Sequence, residues 1–212
     1  MELNYPAIEN GALATGANES LATAASTGIA SIEDYAVCRQ IMRAASKNYS
    51  AASNYLPQDK LPHVEALYAL MRVGDDRVDV THSGFNSPLE AIDDWEREYQ
   101  RAFESGESSH PVLRAYLNSA MTFGIPQDTM TAYFRAMRDD LTQTLYATFT
   151  DLLHYMDGSA VPVGRAMTHI LGVAQPFTLA NAIPGADHLS IAMQLSNFWR
   201  DIGEDWRRRR IY

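Results

Sequence analysis

Thiol chemistry is nearly absent from this sequence: Cys38 is its one cysteine. A disulfide within the chain is excluded, and a reducing, cytoplasmic compartment is the natural expectation. On an early helix a lone cysteine reads as a small core residue rather than a nucleophile. Long apolar runs are also missing, and none approaches the ~20 residues that cross a bilayer. The alternating Val, Ile and Thr runs that mark strands are absent too. Positive charge is scarce: 17 Lys and Arg against 26 Asp and Glu give a net charge of −9. A general nucleic-acid binder needs a basic footprint, so that class is excluded. Anionic substrates are not, because bound Mg²⁺ reverses the local sign of an acidic site. Residues 1–30 lack Lys and Arg and are rich in Ala, Thr, Ser, Gly and Asn. That fits neither a secretory signal nor an Arg-rich transit peptide. They are expected to be a disordered leader, followed by one domain over 31–212.

What remains is a composition of helix formers, and the expected fold class is all-α. Ser31 with Asp34 predicts a capped first helix running to about Leu56, with Pro57 at its end. A second helix begins near Pro62 and runs to Val80, followed by a turn-rich stretch over 81–88. Helices are expected over 89–104, from Pro111 to the Gly124-Ile125-Pro126 break, over 128–144 and over 151–157. Residues 158–162 interrupt the chain before a helix that ends at Leu171. Residues 172–185 read as irregular, and a last helix begins near Asp187.

Two of these helices carry acidic motifs. Asp75-Asp76-Arg77-Val78-Asp79 lies in the first half, and Asp201-Ile202-Gly203-Glu204-Asp205 lies near the end. Carboxylates four apart share one helix face. Around Asp75, the residues Glu65, Tyr68, Arg72, Asp75, Asp76 and Asp79 share about a third of the circumference, at 100° per residue. Valines, leucines and Met71 occupy much of the rest, which predicts a buried helix whose polar sector faces either a watery cavity or a strip of surface. In the last helix, Gln194, Asn197, Asp201 and Asp205 form a polar stripe beside an apolar face of Ile191, Leu195, Phe198, Ile202 and Trp206. Asp and Asn oxygens are hard ligands suited to Mg²⁺. Two such pairs on facing helices would hold Mg²⁺ and, through it, a diphosphate. A solvated face with Arg72 and Asp76 paired along the helix is the competing reading of the first motif.

The context of both motifs resembles the squalene/phytoene synthase family. The family's Tyr-Ala-x-x-Arg-x-x-Asp-Asp-x-x-Asp string stands here as Tyr68-Ala69-Leu70-Met71-Arg72-Val73-Gly74-Asp75-Asp76-Arg77-Val78-Asp79. The second signature stands as Gln194-Leu195-Ser196-Asn197-Phe198-Trp199-Arg200-Asp201-Ile202-Gly203-Glu204-Asp205, followed by four arginines and Ile211-Tyr212. Asp140, Tyr146, Tyr155 and Ser159-Ala160-Val161-Pro162-Val163-Gly164 fall between them in the family's order. The resemblance covers roughly residues 33–212.

It implies a helical isoprenoid-synthase bundle around a central cavity, and head-to-head (1′-1) condensation of two prenyl diphosphates through a cyclopropyl intermediate. The implied metal ligands are Asp75, Asp76, Asp79, Asn197, Asp201 and Asp205. Asp75, Asp79, Asp201, Asp205 and Tyr155 are the implied catalytic residues. Ser46, Lys47, Arg72, Gln194, Asn197, Arg200, Ala160 and Gly164 are the implied substrate-binding set. Mg²⁺ is the implied cofactor, and the use of NADPH is left open. A very apolar product is compatible with peripheral membrane contact, although nothing in the chain encodes an anchor.

Within the family, Ser159–Gly164 and Asn197-Phe198-Trp199 look closer to the hydroxysqualene synthase branch. Arg200 and Gly203-Glu204-Asp205 look like the phytoene synthase branch. Ala45, Asn48 and Leu145 replace residues that other members use, so those roles are not carried over. The family also continues past the second motif with further helices. The expectation is therefore a C-terminally truncated chain of weak or no activity, with exposed apolar surface on its last helix. The alternatives are a head-to-tail prenyltransferase, a terpene cyclase, or a non-catalytic prenyl-lipid-binding homologue.

Overall fold

The computed structural model describes Leu21, Ala24 and residues 28–79, 84–207 and 209–212. Nine α-helices follow one another among the described residues: α1 (Ile32–Ala45), α2 (Lys47–Ser53), α3 (Leu61–Asp79), α4 (Pro88–Ser105), α5 (Pro111–Phe123), α6 (Thr131–Asp139), α7 (Phe149–Ser159), α8 (Val161–Leu171) and α9 (Leu179–Arg207). A 3₁₀ turn over Gln127–Met130 leads into α6. No strand occurs among the described residues, only an isolated parallel bridge between Leu145 and Ile211. The all-α expectation holds. No described helix is long and apolar enough to cross a membrane.

Local chemistry sets most of the boundaries. The Ser31 hydroxyl accepts from the Asp34 N–H while the Asp34 carboxylate accepts from the Ser31 N–H, a reciprocal capping box. Pro88 and Pro111 occupy first-turn positions of α4 and α5, where a missing N–H costs nothing. Gly106 and Gly124 end those helices at φ of 75° and 62°, a left-handed conformation that suits glycine.

Three expected boundaries are corrected. The first helix does not run to Leu56. It breaks at Ser46, whose backbone is extended (φ −146°, ψ 113°) and whose side chain caps α2. The helix expected over 128–144 is a 3₁₀ turn plus a short α6, ending at Asp139. The last helix begins at Leu179, with Pro184 inside it, rather than near Asp187. Proline at the sixth residue of this helix forgoes the bond to the Ala180 carbonyl, yet the helix continues through it. Residues 80–83, which include the expected end of the second helix, lie outside the described residues, as does most of the expected leader. Of that leader, Leu21, Ala24 and Ala30 are buried in the core, and the Asn118 side chain donates to the Ala24 carbonyl at 2.7 Å.

The helix α3 is the centre of the bundle. It packs against α1, α4, α5, α6 and α8. Trp95, Tyr35, Tyr116, Tyr133 and Phe134 are fully buried around it. The apolar girth of α3 is buried as its pattern predicts. Its polar sector splits into two solutions. At one end the Arg39 Nε donates to both oxygens of buried Glu65 at 2.9 Å. Burial pushes the Glu65 carboxyl up, against the pull of Arg39. At the other end lie the acidic residues described below.

Close helix approaches depend on glycine. A Cβ on Gly158 would meet the Ala132 carbonyl oxygen at 2.6 Å and the Ala136 Cβ at 2.7 Å, so α6 and α7 touch through backbone. Gly185, in α9, has nothing within 4 Å. In chemical denaturation, Gly158→Ala should cost roughly 1–3 kcal/mol by overpacking. Gly185→Ala should be neutral or gain up to about 1 kcal/mol from helix propensity.

Candidate active site

The three carboxylates of the first motif lie on the last turns of α3. Asp75 and Asp76 are half-buried and Asp79 is exposed. Arg72 pairs with Asp76 one turn on, as the spacing predicts. Arg77, inside the same motif, points the other way. It is buried, donates to the Ala91 carbonyl at 3.0 Å and to Asp94 at 3.1 Å, and lies over the Trp95 ring.

Asp75 has a partner that its own motif does not contain. The Tyr133 hydroxyl, from α6, donates to the Met71 carbonyl at 2.8 Å and reaches Asp75 Oδ1 at 3.3 Å. It gets there because residue 74 is glycine: a Cβ on Gly74 would lie 2.1 Å from that hydroxyl. Burial pushes the Asp75 carboxyl up to about 7, with Asp79 and Asp76 adding repulsion against the opposing pull of Arg72 and Tyr133. Near neutral pH the burial of this carboxylate is thus relieved by a proton.

The second motif forms a partly exposed stripe along α9. Gln194, Asn197, Asp201 and Asp205 are all half-buried, while Ser196, Trp199, Arg200 and Ile202 are exposed. The Asn197 side chain donates to Gln194 at 3.4 Å. Arg200 forms a two-pronged pair with its neighbour Asp201 at 2.8 and 2.6 Å, which holds the Asp201 carboxyl below its usual range. On the apolar face, Phe198 is buried and Ile191 and Leu195 are half-buried. Ile202 and Trp206 are 61% and 70% exposed, as is Trp199 at 81%, so the expected apolar exposure is present.

The helices α3 and α9 are not a closely packed pair; α8 packs on both. Gly164 of α8 makes that contact tight on one side, since its Cβ would meet Ser190 Oγ at 1.9 Å. Ala160 is buried at the α7–α8 junction. What joins the two motifs is the segment after α9. The Ile211 N–H donates to the Thr144 carbonyl at 2.9 Å, and the Tyr146 N–H donates to the Ile211 carbonyl at 3.3 Å. This pairing brings Arg210 between the motifs. Its guanidinium lies 3.6 Å from Asp79 and 3.0 Å from buried Asp140, while its backbone N–H donates to the Asp205 carbonyl at 2.9 Å.

Beside Arg210 stands an aromatic group. Tyr212 stacks on Phe198 at 4.3 Å and on Tyr146 at 5.6 Å, and Tyr155 lies 5.7 Å from Tyr212. The Tyr155 and Tyr212 hydroxyls both donate to Asp140 Oδ1 at 3.3 Å. Burial raises the Asp140 carboxyl, with Arg210 opposing. On the flank, Ser46 spends its hydroxyl capping α2, Lys47 is exposed, and Tyr49 rests against Tyr68 of α3 at 5.7 Å.

Of the residues expected from the sequence, Arg72 and the first-motif acids share one site with Tyr155. The stripe of α9 is linked to them through Arg210. Tyr133 and Tyr212 join the site without being among the residues expected there, and Arg210 brings to it the end of the arginine run that follows the second signature. A glycine at the centre of the α3 motif is the one sequence hint of Tyr133.

A family model described as squalene/phytoene synthase matches residues 42–212. The chain belongs to the squalene/phytoene synthase family. It is 31% identical to a phytoene synthase of Rhodobacter capsulatus, over 84% of this chain and 51% of that protein. It is likewise 31% identical to a 15-cis-phytoene synthase of Synechococcus elongatus, over 85% of this chain and 60% of that protein. The chain thus spans 51–60% of the length of these two relatives. Among solved structures it is similar to squalene synthase HpnC from Alicyclobacillus acidocaldarius, with a TM-score of 0.79 and 28% identity over 91% of this chain and 69% of the other. A dehydrosqualene synthase structure gives a TM-score of 0.72 at 29% identity, over 85% of this chain and 60% of the other.

The donor chemistry of this family member suits a hard divalent cation: carboxylates and an amide oxygen, with repulsion at Asp75 to relieve. Among the described residues, no three His, Cys, Asp or Glu side chains converge tightly enough to hold an ion alone. Magnesium held by one or two carboxylates, with phosphate oxygens and water completing its shell, needs no such cluster.

The raised Asp75 gives a sign for pH dependence. Its folded value of about 7 lies above the ordinary 3.8, so the folded state binds the extra proton. Without metal, this contribution to stability falls as pH rises from about 4 to 7 and is flat above. Asp75→Asn should therefore raise the thermal midpoint in chelator at pH 8, with little change at pH 4. Equal effects at both pH values would show that Asp75 ionises normally.

Proposed function

We propose that this protein is a Mg²⁺-dependent transferase that condenses two prenyl diphosphates head to head (1′-1), through a cyclopropyl diphosphate, to a squalene- or phytoene-type product. Family membership supports the reaction class. So do the relatives, which are phytoene synthases, and the similar structures, a squalene and a dehydrosqualene synthase. The observation that carries the reading within this chain is the link that Arg210 makes from Asp79 of the first acidic helix to the end of the second, beside a wall of stacked aromatics.

The residues divide by chemistry. Asp75, Asp76 and Asp79 on one side, with Asn197, Asp201 and Asp205 on the other, would hold Mg²⁺. The metal, when bound, would neutralise the departing diphosphate. Arg72, Arg200 and Lys47 supply further positive charge to that anion, with Gln194 and Ser46 as neutral contacts. Arg200 must exchange Asp201 for diphosphate to do so. The rings of Tyr155, Tyr146, Phe198 and Tyr212 present electron-rich faces and exclude water, which a carbocation requires. Ala160 is buried at the α7–α8 junction, while the space beside Gly164 is taken by Ser190 of α9, so an isoprenoid chain would lie along the aromatic wall rather than against Gly164.

Incubation of the whole protein with farnesyl or geranylgeranyl diphosphate and Mg²⁺, followed by mass spectrometry, tests the reading. A C30 or C40 head-to-head skeleton is expected, and adding NADPH alters it only if a reductant is used. A linear diphosphate or a cyclised terpene would overturn the proposal. Asp75→Ala and Asp201→Ala should each lower turnover by roughly 100-fold or more. Prenyl-diphosphate binding without any product would identify a non-catalytic homologue. A hydrocarbon product would partition into lipid, so peripheral membrane contact belongs to the same proposal.

A further inference from the structure

Arg210 differs from an ordinary surface arginine in how it is fixed. Its backbone N–H is bonded to the Asp205 carbonyl. The next residue, Ile211, is pinned to Thr144 and Tyr146, and the one after, Tyr212, is stacked on Phe198. The backbone therefore delivers the guanidinium to one place. There it meets two carboxylates unequally. Asp140 is buried, lies 3.0 Å away and also accepts from Tyr155 and Tyr212, whereas Asp79 is exposed and lies 3.6 Å away. The Asp140 contact is the anchor and the Asp79 contact is the exchangeable one.

We propose that Arg210 is a built-in counter-cation of the acidic site. It competes with a divalent metal for Asp79, and it gives its charge to a diphosphate when metal and anion arrive together. Metal alone must displace a tethered positive charge, so it binds weakly. Diphosphate offers the displaced guanidinium a new partner, so the two ligands assist each other, and by linkage the assistance is reciprocal. Arginine suits this exchange because its planar fork fits carboxylate and phosphate oxygens equally well. The inference rests on the proposed function for the identity of the anion, not for the competition at Asp79.

Calorimetric titration of MgCl₂ into the whole chain, with and without inorganic diphosphate, tests it. Arg210→Gln should tighten binding of Mg²⁺ alone, by roughly two- to fivefold for an exposed pair, and should reduce the enhancement given by diphosphate. Arg210→Lys, which keeps the charge, should stay near wild type. Asp140→Asn removes the anchor, leaves Arg210 to Asp79 and should weaken binding of Mg²⁺ alone. A purely structural arginine predicts weaker metal binding for Arg210→Gln, or none. That result, or tighter binding in Asp140→Asn, would overturn the inference. If thermal unfolding shows that Arg210→Gln does not fold, Asp140→Asn decides by its direction. Should the titrations behave as stated while no head-to-head product forms, the counter-cation stands and the proposed function falls. Should product form while Arg210→Gln leaves metal binding unchanged, the proposed function stands and the counter-cation falls.

Discussion

Like charges crowded on the end of a buried helix are costly, and the acidic end of this protein is organised around that cost. Asp75, Asp76 and Asp79 must share one side of α3 because the other sides are packed against five helices. Each carboxylate meets a different compensating group. Arg72 takes Asp76 from the same helix, the Tyr133 hydroxyl reaches Asp75 across the bundle, and Arg210 approaches Asp79 from beyond α9. The compensation is incomplete at Asp75, which is where burial is felt most. Under the proposed function, Mg²⁺ would complete that compensation.

The same helix carries Glu65 at its other end, and the contrast is instructive. There Arg39 Nε donates to both oxygens in a buried pair with little solvent beside it. Such a pair is saturated, fixes how α1 sits on α3 and offers nothing to a ligand. Asp75 differs by meeting a neutral hydroxyl at 3.3 Å, and Asp79 by sharing Arg210 with Asp140. Close helix contacts reinforce this arrangement. Gly74 admits the Tyr133 hydroxyl to Asp75, and Gly164 lets α8 approach Ser190 on α9. In this way α8 sets the spacing between the two motif helices without filling the acidic end.

Much of this is legible in the sequence, but unevenly. The buried nature of α3 follows from its apolar girth, and the Arg72–Asp76 pair follows from spacing along one helix. The stripe Gln194-Asn197-Asp201-Asp205 likewise needs only helical periodicity. The break at Ser46 escapes the pattern because nothing apolar or prolyl marks it; its hydroxyl caps α2 instead. The early start of α9 escapes it because Pro184 and Gly185 suggest a loop, yet the helix runs through both despite the backbone bond that Pro184 cannot donate. Tyr133 cannot be found by spacing, since it lies on a different helix and its reach depends on a glycine.

The sequence by itself determined the helices, the face each acid occupies, and the family to which the motifs belong. These are properties of single elements, and a period of 3.6 residues is enough to read them. Only the tertiary structure decided which cation stands against Asp79 and Asp140. Arg210 reaches Asp79 and Asp140 because a short backbone pairing with Thr144 and Tyr146 turns the chain back, and because Tyr212 stacks on Phe198. Those contacts join residues far apart along the chain. Their energies depend on distance and burial in space, which no local pattern encodes.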